Sequence, residues 1–110
     1  MHLKLTQYLD ADPVVVADRL QSAIAHGLDA AASRIATTRD DVVTEQVAEG
    51  IRLTSGLQML EGSELRVSGG SRLTTLEIVV PWTAADHDGA KLLAANAFAH
   101  TVGTEVVAAA

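Results

Sequence analysis

The stretch from Pro13 to Ala36 constrains the fold most, because its apolar residues recur at the spacing of one helix face. This stripe consists of Val16, Ala17, Leu20, Ala23, Ile24, Gly27, Leu28, Ala31 and Ile35. Polar residues fall on the opposite side, and Asp12 followed by Pro13 is typical of a helix start. We therefore predict one long amphipathic helix that continues through Gly27, with Gly27 facing inward.

Before and after this helix the apolar residues alternate with polar ones, which is the pattern of half-buried strands. Residues 3–9 form the first predicted strand. Four further strands are predicted near residues 43–47, 51–59 with a bulge at Gly56, 65–67 and 76–80. Turns are predicted at Glu49-Gly50, at Glu61-Gly62 and, as a two-residue hairpin turn, at Gly69-Gly70.

A second apolar stripe predicts a closing helix that extends to Ala110. It consists of Leu92, Ala95, Phe98, Ala99, Val102 and Val106. The start is expected near Thr83, with Asp86 completing a capping box, or with Asp86 or Asp88 as the cap instead. The expected fold class is α+β: a two-layer sandwich in the order β-α-β-β-β-β-α. In it, both helices cover one face of an antiparallel sheet of four or five strands.

Small residues recur every four positions on both helices. Ala23, Gly27 and Ala31 do so on the first helix, and Ala95, Ala99 and Gly103 on the last. Such tracks fit either packing of each helix on its own sheet or a close helix–helix contact, within the chain or across a dimer. The last helix is apolar beyond one stripe, which favours a contact surface and hence a homodimer.

The composition limits the classes of protein to which the chain can belong. Its 110 residues suit a single domain over 1–110, and 48% are hydrophobic, which excludes intrinsic disorder. The absence of cysteine excludes disulfide scaffolds and thiol catalysis. A net charge of −6 argues against nucleic-acid and anionic-membrane partners. We read neither a signal peptide nor a membrane span, and expect a cytoplasmic protein.

The residue types that carry chemistry show no diagnostic spacing. No two of the four histidines are three or four positions apart, and Asp86-His87-Asp88 lacks the later oxygen ligands of a calcium loop, so neither metal nor cofactor is predicted. Gly69-Gly70-Ser71 is neither a nucleophile elbow nor a phosphate loop. Glutamates on the strands are interpreted as a solvated face, and no catalytic residue is assigned.

The beginning of the chain resembles the START-like, or helix-grip, superfamily. The resemblance lies in residues 3–13 (LKLTQYLDADP), in residues 16–20 (VADRL) and in the long closing helix from Ala90 to Ala110. Members of that superfamily usually have more strands and two short helices after the first strand. The resemblance implies an apolar cavity between sheet and closing helix for lipids, polyketides or similar ligands, which in so short a chain would be small or completed by dimerisation.

These observations lead to three hypotheses. The first is a non-enzymatic binding module, homodimeric, with a small apolar ligand between sheet and last helix. The candidate ligand-binding residues are Leu53, Leu57, Met59, Trp82, Phe98 and Val102, with His100 at a polar corner beside Asn96 and Thr104. The second is a structural or interaction subunit with a dry core. The third is a small enzyme that uses His100 as acid or base with a carboxylate such as Glu77.

Overall fold

The structure, a computed structural model, describes residues 1–70, 72–83 and 89–108. The elements in chain order are β1 (His2–Leu9), α1 (Pro13–Arg34), β2 (Val43–Val47), β3 (Gly50–Ser55), a 3₁₀ helix (Gln58–Leu60), β4 (Glu64–Gly70), β5 (Leu73–Pro81) and α2 (Ala90–Ala108). The predicted order and the α+β class are confirmed.

All strands belong to one antiparallel sheet in the order β1-β5-β4-β3-β2. The first strand therefore lies at one edge, and α1 carries the chain across to the opposite edge. Alternate residues of β5 and its neighbours, such as Leu65, Ile78 and Val80, are fully buried against the helices. The other face carries charged side chains, so both helices cover one face as expected.

The first helix begins where the sequence predicts, because the Asp12 side chain accepts a hydrogen bond from the Val14 N–H at 2.9 Å and Pro13 occupies the first turn. It continues through Gly27, which is buried. The predicted stripe differs at two positions: Ala17 is exposed and Ala32 is buried. Ala32 is buried because α1 is covered on two sides, by the sheet and by α2.

The small-residue tracks make two different contacts, both within the chain. A Cβ atom placed on Gly27 would lie 2.8 Å from Cγ2 of Val102 and 2.9 Å from Cδ1 of Phe98, so α1 packs closely on α2 at this point. Gly103 instead faces β1, where a Cβ would overlap the Gln7 side chain. The prediction of an inward-facing Gly27 is confirmed.

Three predicted boundaries are wrong. The third strand ends at Ser55, and Gly56 (φ +149°) turns the chain into the 3₁₀ helix instead of forming a bulge. Gly69 and Gly70 both remain in β4, with Gly70 opposite Leu73, so the hairpin does not turn there. The closing helix begins at Ala90, beyond Thr83, and two positions after Asp88, the last of the alternative caps in the sequence.

The proposed capping partner Asp86, like His87 and Asp88, lies outside the described residues. Of the turns, the one at Glu61-Gly62 is confirmed. The one at Glu49-Gly50 is displaced by a residue, since Gly50 already pairs with Val47.

None of the helices in the described ranges is both long and apolar enough to cross a bilayer.

Candidate functional site

The predicted ligand-binding residues fall into different environments. Leu53, Phe98 and Val102 are fully buried in the hydrophobic core, and Leu57 is 5% exposed. Met59 and Trp82 are half-buried at the edge of the core. His100 is exposed on the solvent side of α2. The structure therefore does not bring the predicted ligand-binding residues together at one site.

The middle of α2 is a packed contact. Phe98 and Val102 are the side chains that meet the backbone of α1 at Gly27. A glycine at this position lets the two helices approach, and the Phe98 ring fills the space in front of it. The part of the core that sequence reasoning assigned to a ligand is thus occupied by the chain's own side chains around these residues.

An open pocket of about 350 Å³ lies instead where the end of α1 meets the start of α2. We call it the helix-end pocket. It is lined by Ile35, Thr37, Thr38, Asp40, Gly56, Leu57, Gln58, Met59 and Ala90. Two of the sequence-predicted residues, Leu57 and Met59, are in this lining. The volume lies within the range of small-molecule sites.

The C-terminal cap of α1 shapes one wall of the pocket. The N–H of Thr37 donates to the Ala32 carbonyl at 2.9 Å, and the N–H of Ala36 donates to that of Ser33 at 3.2 Å. This is the hydrogen-bond pair of a Schellman motif, and it places Ala36 in the left-handed region, at φ +55°. The chain therefore leaves the helix sharply, and Thr37 and Thr38 border the pocket.

Two contacts hold the following loop in place. The N–H of Asp40 donates to the Gly56 carbonyl at 2.6 Å, which joins the loop to the end of β3. The Arg39 guanidinium bonds to the Asp29 carboxylate on α1 and to the carbonyl of Asp40 at 3.1 Å. The wall formed by residues 37–40 is therefore fastened to both layers of the fold.

The lining divides into an apolar and a polar part. Ile35, Leu57 and Met59 offer hydrocarbon and thioether surface, whereas Thr37, Thr38 and Gln58 offer groups that both donate and accept hydrogen bonds. Asp40 is the acidic residue of the lining. The N-terminus of α2 at Ala90 carries about half a positive charge, which is smaller than the full negative charge of Asp40. The pocket suits a molecule with an apolar body and a hydrogen-bond donor.

A second open groove, of about 330 Å³, was not predicted from the sequence. It runs between the first turns of α1 and the β2–β3 hairpin, lined by Pro13, Val14, Ala17, Leu20, Gln46, Glu49, Gly50, Ile51 and Val67. The groove explains why Ala17 is exposed despite its place on the apolar stripe. The signal in the sequence was the pair of apolar residues Val14 and Val15, which lie off the stripe. Val14 lines the groove and is 68% exposed.

The solvent-facing side of the sheet carries a continuous set of ion pairs. Arg52 contacts Glu45 at 2.8 Å and Glu64 at 3.1 Å, and Arg66 contacts Glu64 at 3.3 Å and Glu77 at 3.4 Å. Glu45 and Arg52, Arg52 and Glu64, and Arg66 and Glu77 are directly opposite each other on neighbouring strands. Arg66 and Glu64 are two residues apart on β4, on the same face. The hydrogen bond from Arg52, with a further one from Arg66, holds the pKa of Glu64 below its ordinary value.

This arrangement separates the pair assigned to the enzyme hypothesis. Glu77 lies on the solvent face of the sheet with Arg66, whereas His100 lies on α2, which covers the other face. Asn96, His100 and Thr104 are all exposed, and the Thr104 hydroxyl donates to the His100 carbonyl at 2.9 Å. The row is a solvated helix edge, and the sheet lies between His100 and the proposed carboxylate.

The other histidines have separate surroundings. His26 Nδ1 lies 3.3 Å from the Glu105 carboxylate, an exposed contact between α1 and α2. Within the described part of the chain, no group of three or more histidines and carboxylates is arranged to hold a metal ion.

Neither a protein-family model nor a curated protein matches the sequence.

Proposed function

We propose that the chain is a small binding module that holds a molecule with an apolar body and a hydrogen-bond donor in the helix-end pocket. The observation that carries the proposal is the meeting of Leu57 and Met59 with Asp40 around one open space of about 350 Å³. The START-like resemblance of the first strand and the closing helix supports the same class of activity. The proposed ligand site lies at the beginning of α2, whereas the sequence led us to expect it at the centre of this helix.

The charge of the lining determines which ligands are favoured. The Asp40 carboxylate can accept a hydrogen bond from the hydroxyl of an alcohol or from an amine. It repels the carboxylate of a fatty acid whose hydrocarbon chain is as long as that of the alcohol. We therefore expect medium-chain alcohols or neutral aromatic amines to bind in preference to fatty acids.

A neutral fluorescent probe tests this proposal. N-phenyl-1-naphthylamine, an apolar amine, is expected to bind with increased emission and to be displaced by 1-decanol more effectively than by decanoate. The variant Asp40→Asn removes the charge at nearly constant volume and is expected to abolish this discrimination. Asp41→Asn changes an exposed neighbour outside the lining and is the matched control.

A second variant tests the location. Met59→Trp fills the pocket and is expected to prevent binding of the probe, whereas Ser22→Trp, on the exposed side of α1, is expected to leave binding unchanged. Circular dichroism shows whether both variants are folded. Probe binding that is equal in the two tryptophan variants would refute the helix-end pocket as the site.

A further inference from the structure

The first strand, β1, is an edge of the sheet. One contact shows which of its residues form backbone hydrogen bonds to β5 and which face the open edge. The Trp82 N–H donates to the Met1 carbonyl at 3.1 Å, one position beyond the pair His2↔Pro81. Residues directly opposite in an antiparallel ladder alternate between bonded and non-bonded pairs. Odd-numbered residues of β1 therefore bond to β5, and the N–H and C=O groups of His2, Lys4, Thr6 and Tyr8 face the open side.

The position of Pro81 agrees with this alternation of backbone hydrogen bonds. On β5 the even-numbered residues bond to β1 and the odd-numbered residues face β4. Pro81, which has no N–H, thus falls on the β4 side, beyond Val79 and its partner Glu64, the first residue of β4.

The open side of β1 is accessible. Within residues 1–70, 72–83 and 89–108, no backbone hydrogen bond from outside the sheet reaches His2, Lys4, Thr6 or Tyr8. All of their side chains are exposed, and Tyr8 is 75% exposed. An edge of this length without proline or bulge is a template for a further strand.

The sequence of β1 is complementary to itself in antiparallel orientation. With Thr6 opposite Thr6 of a second copy, Lys4 comes opposite Tyr8, and His2 opposite Asp10, the residue that directly follows β1. Those pairs join a cation to an aromatic ring and a histidine to a carboxylate. On the helix side, Leu3 comes opposite Leu9. Moving the centre to Lys4 would instead set two lysines against each other, so like-charge repulsion disfavours that register.

We propose that two copies of the chain associate through β1, paired antiparallel about Thr6, to form a continuous ten-stranded sheet with all helices on one face. The closing helix adds apolar surface beside this joint. Its face towards β1 is defined by Ala99, whose carbonyl accepts a hydrogen bond from the Gln7 side chain at 2.7 Å, and by Gly103. Leu92 lies on the same helix stripe and is 42% exposed.

The absence of cysteine from the chain makes a cross-linking test specific. In the proposed register the two Thr6 Cα atoms are about 5.5 Å apart, within the range that a disulfide spans. Under mild oxidation Thr6→Cys is expected to form a covalent dimer rapidly. Ser68→Cys, exposed on β4 in the interior of the sheet, is the control and is expected to remain monomeric on the same timescale.

Proline at the same position tests the backbone pairing. Because the Thr6 N–H faces the open side, Thr6→Pro keeps the β1–β5 hydrogen bonds but removes one intermolecular bond per copy. Its dimer dissociation constant, measured by analytical ultracentrifugation, is expected to rise about tenfold or more relative to Thr6→Val. A monomeric wild-type chain at 100 μM, or equal cross-linking of Thr6→Cys and Ser68→Cys, would overturn the proposal, whether or not Thr6→Pro folds.

Discussion

Gly27 of α1 and Val102 of α2 are in direct backbone-to-side-chain contact, so that a single methyl group at Gly27 would stand 2.8 Å from Val102 Cγ2. The Phe98 ring closes the other side of the same space at 2.9 Å. Both side chains are fully buried, and valine has little rotamer freedom in a helix. This contact sets how closely the two helices approach.

Gly27→Ala is therefore expected to destabilise the fold by about 1–2 kcal/mol, because overpacking exceeds the gain of about 1 kcal/mol in helix propensity. Urea denaturation measures the change. Combined with Val102→Ala, the substitution is expected to cost less than the sum of the two single changes. Stabilisation by Gly27→Ala alone would show that the helices do not pack at this point.

Gly103→Ala provides the matched comparison on the other helix. A Cβ at Gly103 would displace the end of the Gln7 side chain, which is flexible, and break its hydrogen bond to Ala99. The loss of about 1 kcal/mol for this bond is nearly offset by the gain in helix propensity. We expect a change within about 0.5 kcal/mol in the same urea experiment. A loss as large as that of Gly27→Ala would contradict the difference between the two contacts.

Ala36→Gly is expected to stabilise the protein. Ala36 occupies the left-handed position of the α1 cap, at φ +55°, where a side chain is costly. After the larger entropy of glycine in the unfolded chain is subtracted, a gain of about 0.5–1 kcal/mol remains. Thermal unfolding checks it against Ala30→Gly, within α1, which is expected to destabilise. Destabilisation by both would refute the cap geometry.

The ion pairs of the solvent face predict a pH dependence. Because the pKa of Glu64 is below its ordinary value of 4.5 in the folded chain, its ionised form stabilises the fold above that pH. The stabilisation is lost as the pH falls through the folded pKa. The melting temperature of the wild type is thus expected to exceed that of Glu64→Gln at pH 6, and the difference to shrink below pH 4.5. A difference that stays constant over this pH range would contradict the pairing with Arg52.

Hydrophobic periodicity accounts for most of the fold. The stripe that includes Leu20 and Ile24, and the alternation along β5, each define one buried face, and one face per element leaves few ways to stack the layers. The boundaries failed where local geometry prevails over pattern. Gly56 turns the chain because of its positive φ, and Gly69 and Gly70 extend β4 because they pair with Thr74 and Leu73.

The candidate site was predictable only in part. Leu57 and Met59 were identified as apolar residues near the sheet, and both line the helix-end pocket. Phe98 and Val102 have the same character in the sequence, but their contact with Gly27 commits them to the core. The polar wall could not be predicted, since Thr37, Thr38 and Asp40 reach the pocket through the cap at Ala36 and the bond to Gly56. Neither the cap at Ala36 nor the hydrogen bond to Gly56 produces a periodic pattern of apolar residues in the sequence.

Chemical-shift mapping with 1-decanol tests the proposed binding site most directly. Binding in the helix-end pocket predicts that the backbone amide shifts in ¹⁵N–¹H spectra change at residues 35–40 and 56–59, and that Asp40→Asn weakens the response. Changes confined to the groove at residues 13–20 and 46–51, or no saturable change at any position, would contradict it.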